Sequence, residues 1–266
     1  MHRIMFAAFD LESSTFLETL DLSFYKTPSG AITNGPLLLA FAQTGKRIIL
    51  STGMANLGEV EQALAILSWG YAHSRKPTSL KEIWRYWSGS ENPGILQGKV
   101  SLLHCTSQYP TSMEEVNLRA METLSQSFGL PVGYSDHTEE LLIPVAAVAL
   151  GAEIIEKHFT LDRSLPGPDH KASLEPEELY QRVRDIRRTE IALRDGRKKT
   201  QPSEWNTRTA ARQQIIASRD IVLGEIFSTD NLGTARAGKG ESPAHIRYLY
   251  GEKALRDYDK DSPIGI

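Results

Sequence analysis

The sequence predicts an α/β fold with a parallel sheet, followed by a smaller β-rich region. Two observations support this prediction. Along the first 195 residues, short apolar runs of strand length alternate with longer amphipathic stretches of helix length. Such alternation indicates parallel strands, because each parallel connection needs a crossover, which is usually a helix. After about residue 213 the alternation stops, and short apolar runs separated by turns follow.

Six strand–helix units can be placed in order. The predicted strands, most of them rich in branched or aromatic residues, are 4–9, 22–26, 47–51, 100–105, 131–135 and 153–158. The predicted helices, most of them ended by turn residues, are 12–20, 34–44, 56–69, 112–128, 139–150 and 175–195. Six units fit an open doubly wound sheet, whereas a (β/α)8 barrel needs two further units upstream. The strand–helix pattern by itself is compatible with both architectures.

Two segments interrupt the pattern. Residues 73–98 form a polar insertion with a short predicted helix at 80–87, whose aromatic side chains pack either locally or against a partner. We favour local packing. Residues 196–212 are charged and polar, and we interpret them as a linker. The predicted organisation is therefore a large domain at 1–195, a linker at 196–212 and a small domain at 213–266.

Composition gives no indication of a nucleic-acid or membrane partner. The 266 residues carry a net charge of −3, and the longest apolar stretch, 142–150, is too short to span a bilayer. The one cysteine, Cys105, excludes an intramolecular disulfide, which suits a reducing compartment. The N-terminus lacks the pattern of a signal peptide and begins as though the chain entered mid-fold. A cytoplasmic location is the resulting expectation.

Polar residues follow most of the predicted strands, where the sites of parallel α/β folds lie. By strand alternation, Ser135 and His137 share one face, and Glu156 and His158 share a face of the next strand. Neighbouring strands are about 4.8 Å apart. The two imidazoles can therefore hold one divalent ion, with Glu156 as a further ligand or as an orienter of bound water. The alternative is that each histidine is a hydrogen-bonded strand-end residue.

An anion is the expected substrate group at the same strand ends. Lys26 is the last residue of a predicted strand. A lysine there is a Schiff-base nucleophile, a phosphate anchor or a surface residue. Ser29 and Ser51 add hydroxyl groups, and Ser51 leads towards a helix start that suits an anion. In the loop 165–173, Asp169 either bonds sugar hydroxyls or is a solvated acid. Together these groups favour a phosphorylated or carboxylated substrate.

Longer motifs resemble a known family, the bacterial N-acetylneuraminate synthases, which include enzymes for legionaminic and other nonulosonic acids. The matching segments are ITNGPLL, ILSTGM, LLHCTSQYP, GYSDHT, IIEKHFTLD and LPGPDHKASLEPEEL. The C-terminal part resembles that family's antifreeze-like (SAF) domain through DIVLGEIFSTDNL and ARAGKGESP. The resemblance covers nearly the whole chain. It implies a TIM (β/α)8-type barrel that lacks its first two βα units, followed by a small β-rich SAF domain.

The resemblance also implies an activity. Members condense phosphoenolpyruvate with an N-acetylmannosamine-type sugar, which gives a nonulosonic acid and phosphate. They use Mn²⁺, or Mg²⁺ or Co²⁺ in its place, and they form domain-swapped homodimers. In these dimers the SAF domain of one subunit covers the barrel of the other. The implied partners are phosphoenolpyruvate and an N-acetylated hexose, with no nucleic acid and no membrane.

Residue roles carry over position by position. The family's metal ligands correspond to His137 and His158. Together with Lys26, these two residues are also implied to be catalytic. The phosphoenolpyruvate contacts correspond to Lys26, Ser29, Ser51, Ser107 and Ser135. The sugar contacts correspond to Tyr109 and Asp169, and Arg236 corresponds to the SAF arginine that reaches the N-acetyl group across the dimer.

The chain departs from the family pattern in three respects. Ala7 replaces a phosphate-binding threonine, and Ala31 replaces an acidic residue of the lysine motif. The first two βα units, with further site residues, have no counterpart. Two alternatives therefore stand beside the synthase: another phosphoenolpyruvate-dependent barrel enzyme, and a non-catalytic remnant that binds a sugar or a partner through its SAF domain. The insertion at 73–98 favours the legionaminic branch.

Overall fold

The computed structural model describes residues 7–20, 22–89, 94–167 and 169–265. The chain divides into two compact units, Met1–Arg194 and Asp195–Ile266. Of the predicted first strand, residues 4–6 lie outside the described residues. Within the described part, Ala7 forms a parallel bridge to Lys26.

The first unit contains a five-stranded parallel sheet. Its strands are β1 (Phe24–Thr27), β2 (Arg47–Ser51), β3 (Val100–His104), β4 (Val132–Asp136) and β5 (Ile155–Lys157). Their order in the sheet is the order in the chain, and each neighbouring pair is parallel. This confirms the predicted α/β class with parallel strands. All five carboxyl ends therefore lie along one edge of the sheet.

Helices precede, connect and follow these strands. They are α1 (Leu11–Glu18), α2 (Gly35–Gln43), α3 (Leu57–Ala72), α4 (Leu80–Trp87), α5 (Ala120–Phe128), α6 (Leu142–Ala149) and α7 (Pro176–Leu193). The predicted helix at 112–128 is wrong in its first half. A 3-10 turn at Met113–Glu115 is followed by Asn117 with a left-handed φ of 44°, which interrupts the helix. No helix among the described residues is long and apolar enough to cross a membrane.

An apolar core joins the sheet to its helices. Strand residues such as Ile48 and Leu50 are buried in it, and Tyr25 of β1 stacks on Phe41 of α2 with ring centroids 4.7 Å apart. Burial contributes about 25 cal/mol for each Å² of apolar surface removed from water. The core therefore holds the strands rigidly, and their polar ends are positioned by that packing.

The insertion packs locally over its described part, as we predicted. Trp69 of α3 stacks on His73 with ring centroids 3.9 Å apart, and Tyr86 of α4 meets His73 edge-on at 5.0 Å. Trp87 donates a 3.0 Å hydrogen bond from Nε1 to Glu61. Residues 90–93 of the insertion lie outside the described residues.

The second unit has a separate small core. Its strands β6 (Gln214–Ala217) and β7 (Leu232–Ala235) pair antiparallel, and isolated bridges add short β contacts. A helix, α8 (Trp205–Ala211), lies within the segment predicted as a linker, and a single turn, α9 (Ile246–Leu249), follows later. The core is formed by Ile215, Ala217, Ile221, Phe227, Leu232, Leu249, Ala254, Tyr258 and Ile264.

Candidate active site

A continuous polar array crosses the carboxyl edge of the parallel sheet. Lys26 Nζ, on β1, donates a 2.7 Å hydrogen bond to Ser51 Oγ on β2. The same ammonium lies 3.6 Å from a carboxylate oxygen of Glu156 on β5. Ser135 of β4 donates a 2.7 Å hydrogen bond to the other oxygen of Glu156, its partner in the register. The sequence therefore predicted correctly that these strand ends meet, but it underrated Glu156, which links them.

Burial changes the pKa of Lys26. The residue is 8% exposed, and burial lowers the pKa of its ammonium group, while the nearby Glu156 carboxylate opposes that shift. A buried cation is stabilised by any anion that enters beside it. The site therefore has a cation that an anionic ligand would stabilise.

Gly53 lies at the centre of a group of small polar side chains. Its backbone N–H donates a 3.1 Å hydrogen bond to Ser29 Oγ. A Cβ atom at this position would be 2.4 Å from Ser107 Oγ and 2.7 Å from Ser29 Oγ, so only glycine fits without a shift. Cys105 Sγ lies 3.2 Å from the same Ser29 oxygen. The two serine hydroxyl groups at this strand end are donors that a phosphate or carboxylate group requires, whereas the Gly53 N–H is bonded to Ser29.

The two predicted histidines face each other beside this array. The rings of His137 and His158 have centroids 5.6 Å apart, and the ring of Tyr109 is 4.1 Å from His137 and 5.4 Å from His158. His137 Nδ1 is 2.7 Å from the carbonyl oxygen of Thr106, which can only accept a hydrogen bond. Nδ1 therefore carries the proton, which leaves Nε2 with its lone pair. Nε2 lies 3.4 Å from Ser135 Oγ, whose hydroxyl proton is donated to Glu156. Burial lowers the pKa of His137, which favours the neutral ring further.

This pair fits a divalent ion held by two imidazoles. Metal–nitrogen bonds of about 2.1 Å would place two ligating rings roughly 4.5–6 Å apart, and an Nδ1–H bonded to a carbonyl is the usual support for a ligating histidine. No group of three or more histidine, cysteine, aspartate or glutamate side chains is arranged for a metal within the described ranges. The expected role of Glu156 as a third ligand is therefore not met, since Ser135 and Lys26 bind its carboxylate. Water or substrate would supply the other ligands.

A second polar cluster lies on the opposite face of β4 and β5, and the sequence did not predict it. Asp136 and Lys157 are partners in the register, and their charged groups are 3.3 Å apart. Arg182 reaches in from α7, and its Nη1 lies 2.7 Å from Asp136. Alternation along the strands places both partners away from the array. The arginine, however, is 46 residues away from Asp136 in the chain and carries no local signal.

The three residues predicted to contact the sugar lie in different parts of the chain. Asp169 directly precedes the 3-10 turn His170–Ala172. Burial raises the pKa of Tyr109, and the negative charge of Asp169 adds to that shift. Arg163 links the loop of Asp169 to α7, because it donates to the Ser173 carbonyl at 2.9 Å and pairs with Glu178 of α7. Arg236 is exposed directly after β7 in the second unit, and its role remains a prediction.

The comparison with known families now adds to this geometry. The NeuB family model matches residues 3–198, which include all five strands and every residue of the polar array. The chain belongs to the NeuB family. The family resemblance inferred from the motifs of the first unit is thereby confirmed.

Individual NeuB relatives match most of this chain. It is 45% identical over 256 residues to the N,N'-diacetyllegionaminic acid synthase of Campylobacter jejuni, and 42% identical over 249 residues to that of Legionella pneumophila. These matches cover 96% and 94% of this chain, and 70% and 64% of the relatives. A crystal structure of N-acetylneuraminic acid synthetase from Leptospira borgpetersenii superimposes with a TM-score of 0.61 at 36% identity, covering 74% of this chain and 60% of that one. The chain thus spans about two thirds of the length of these relatives.

Proposed function

We propose that this NeuB-family protein condenses phosphoenolpyruvate with an N-acetylmannosamine-type sugar to give a nonulosonic acid and phosphate. The observation that carries the proposal is the polar array from Lys26 to Glu156, which lies beside the His137–His158 pair at one strand-end edge. An anion site and an electrophile site in contact suit a reaction between an anionic donor and an aldehyde. Relatives that match over most of this chain are nonulosonic acid synthases.

The anionic donor is assigned to the array. Lys26, Ser29, Ser51 and Ser107 offer an ammonium and three hydroxyl groups around the Gly53 backbone, and Ser135 extends this surface towards Glu156. These groups can bind the phosphate and carboxylate of phosphoenolpyruvate and hold its enol carbon in place. Positioning of this kind lowers the barrier, because two reactants are held in a reactive geometry.

The reaction forms one bond between the substrates and breaks one. Carbon 3 of phosphoenolpyruvate attacks the aldehyde carbon, and the aldehyde oxygen takes up a proton. Water adds to carbon 2 and loses one proton. The C–O bond to phosphate then breaks, and the hydroxyl proton on carbon 2 leaves with the phosphate, which gives the 2-keto acid. Glu156 is the carboxylate beside the donor site, so we assign it to orienting this water and accepting its proton.

His137 and His158 are proposed to hold Mn²⁺, with Mg²⁺ or Co²⁺ as substitutes. When bound, the ion supplies a Lewis acid for the aldehyde oxygen. The chain contributes the orientation of its imidazoles, with His137 fixed by the Thr106 carbonyl and Tyr109 packed against both rings.

The acceptor sugar is proposed to lie over Tyr109 and Asp169. An aromatic ring beside a carboxylate suits a sugar, since the ring takes its apolar face and the carboxylate accepts from its hydroxyl groups. The identity to two legionaminic acid synthases favours a 2,4-diacetamido sugar over N-acetylmannosamine itself.

The protein is also proposed to act as a homodimer. The parallel sheet is proposed to be part of a TIM-type barrel, and residues 213–266 are proposed to be a SAF domain. In a domain-swapped homodimer Arg236 would then bind the N-acetyl group in the partner's site. The supporting observations are the exposure of Arg236 and its position in a unit with its own core.

The test combines binding with product analysis. The 266-residue chain is incubated with Mn²⁺, phosphoenolpyruvate labelled with ¹⁸O in its bridging oxygen, and either N-acetylmannosamine or its 2,4-diacetamido analogue. We expect a nine-carbon 2-keto acid by mass spectrometry and the label in the released phosphate. Because Ala7 and Ala31 lack the side chains of the family pattern, turnover is expected to be slow, so donor binding is also measured by calorimetry.

Lys26→Met is the matched control, since it keeps the length of the side chain and removes its charge. Loss of a charged hydrogen-bonding partner should weaken phosphoenolpyruvate binding by about 10–100-fold. Equal binding by two folded proteins would contradict the assignment of the donor site. Label retained in the keto acid would contradict the proposed C–O cleavage.

A further inference from the structure

We infer that the buried network of Asp136, Lys157 and Arg182 is a positioning device that sets the relative placement of His137 and His158. The inference rests on the proposed function, because it takes these imidazoles as the metal ligands. The network touches neither the polar array nor the rings themselves. Its members are residues that act through the histidines.

The network is buried and densely bonded. Asp136 is fully buried, and the side chains of Arg182 and Lys157 are 2% and 6% exposed. One oxygen of Asp136 meets both cations, and the other accepts from the backbone N–H and the hydroxyl group of Thr138 at 3.0 and 2.8 Å. Such a network holds its members in one arrangement, because any movement leaves a buried charge without a partner.

Each histidine is covalently next to a member of this network. His137 lies between Asp136 and Thr138, and His158 directly follows Lys157. Lys157 donates to the Thr138 carbonyl and thereby ties the segment after β4 to the end of β5.

The third member ties the same segment to a helix. Arg182 donates from its Nη2 to the Glu140 carbonyl at 3.0 Å, while its Nη1 bonds Asp136. Both backbone positions that carry imidazoles are therefore fixed from the opposite face of the sheet.

The network does not support metal binding by electrostatic attraction of the ion. Its two cations outnumber its one carboxylate, so the three groups together repel a divalent cation. If the network contributed only through its charge, neutralising it would improve metal binding. A positioning role requires the reverse, and this difference in sign makes the two explanations separable.

The experiment measures Mn²⁺ affinity by calorimetry and the visible spectrum of bound Co²⁺, both without substrates. Arg182→Lys keeps the charge near Asp136 but lacks the planar fork that reaches Glu140. The triple variant Asp136→Asn, Lys157→Met, Arg182→Met removes all three charges and keeps an acceptor for Thr138. Arg163→Lys is the matched control, because Arg163 also ties a loop to α7 but donates its hydrogen bonds to Ser173 and Glu178 and to no member of the network.

We expect both network variants to lose Mn²⁺ affinity by about tenfold or more, as for other groups that orient metal ligands. The Co²⁺ spectrum should change, and Arg163→Lys should bind like the wild type. His137→Ala serves as the reference for loss of a ligand. Circular dichroism and melting curves verify that the variants are folded at the assay temperature.

Four results would overturn the inference. Unchanged affinity in a folded network variant would show that the histidines need no such support, and tighter binding by the triple variant would indicate an electrostatic role. Failure of both variants to fold would assign the network to stability alone. If the wild type binds no metal, the proposed metal site fails, and the inference fails with it. In the other three cases the wild type binds, so the two failures are distinguishable.

Discussion

Among single residues, Lys26 contributes most to the proposed chemistry, because it is a buried ammonium that contacts Ser51 and Glu156. Burial lowers the pKa of this group below its ordinary value of 10.5. As pH rises above neutrality, this lowered pKa should therefore affect substrate affinity and protein stability in opposite directions.

Phosphoenolpyruvate affinity should fall as pH rises through the lowered pKa of Lys26, because the ammonium loses the charge that binds the anion. The contribution of Lys26 to the free energy of unfolding should rise over the same window. Between the lowered pKa and 10.5 the unfolded chain binds more protons than the folded one, so stability increases with pH. Calorimetric titrations and urea unfolding at pH 7 to 10.5 measure the two effects.

In Lys26→Met both pH dependences should be absent, which identifies the group responsible. A wild-type affinity that stays constant up to pH 10.5 would contradict the assignment. The result would mean that the charge of Lys26 is not used to hold the donor.

Among the elements, β4 has the least room for change. It lies between β3 and β5, and Gly133 allows its neighbours to approach closely. A Cβ atom there would be 2.4 Å from the Ile154 carbonyl oxygen and 2.7 Å from Leu103 Cδ2. One of these contacts is backbone, so a rotamer change cannot relieve it.

Gly133→Ala should therefore destabilise the first unit. Overpacking of this kind costs about 2–3 kcal/mol, which corresponds to a fall in Tm of roughly 5–10 °C for a unit of this size. Differential scanning calorimetry measures it. Gly30→Ala is the control, because a Cβ at Gly30 meets nothing within 4 Å. Equal Tm values for the two variants would show that β4 can shift to make room.

The sequence predicted most elements because their signals are local. Alternating apolar runs located β1 to β5, and the short helix of the insertion was predicted at 80–87, where α4 lies. The prediction failed at Asn117, where a left-handed residue without glycine or proline breaks the helix expected at 112–128. Asparagine adopts this conformation more readily than most residues, but nothing nearby distinguishes it from a helical asparagine.

The site was predictable to the same extent. Strand ends located Lys26, Ser51, Ser135 and both histidines, since the parallel arrangement brings carboxyl ends together. The central position of Glu156 and the pairing of Arg182 with Asp136 were not predicted in this way. Both depend on which long side chains meet across strands and helices, and strand periodicity alone does not define that.

At the scale of the whole molecule, the division into two units leads to a prediction about assembly. If the unit at 195–266 completes the partner's site, Lys26 and Arg236 act at one active site from different chains, Lys26 on phosphoenolpyruvate and Arg236 on the sugar. A mixture of Lys26→Met and Arg236→Ala chains should then recover activity that neither has alone.

With equal amounts and full subunit exchange, half of the dimers are mixed and each has one intact site, so about a quarter of wild-type product formation is expected. Differently tagged chains and co-purification verify the exchange. No recovery in verified mixed dimers would show that Arg236 acts on its own chain's site or on none.

The identical order of strands in the chain and in the sheet has a consequence for biosynthesis. Each strand that leaves the ribosome finds the edge of its predecessor unpaired, so the sheet can grow from one side while translation continues. The donor end, with Lys26 and Ser51, is made first, and the imidazoles arrive with the last two strands. Arg182 emerges later still, on α7. We therefore expect the first part of the anion site, Lys26, Ser29 and Ser51, to be synthesised well before Ser135, Glu156 and the imidazoles. The anion site and the proposed metal site are then completed together, with the last two strands and the final helix of the unit.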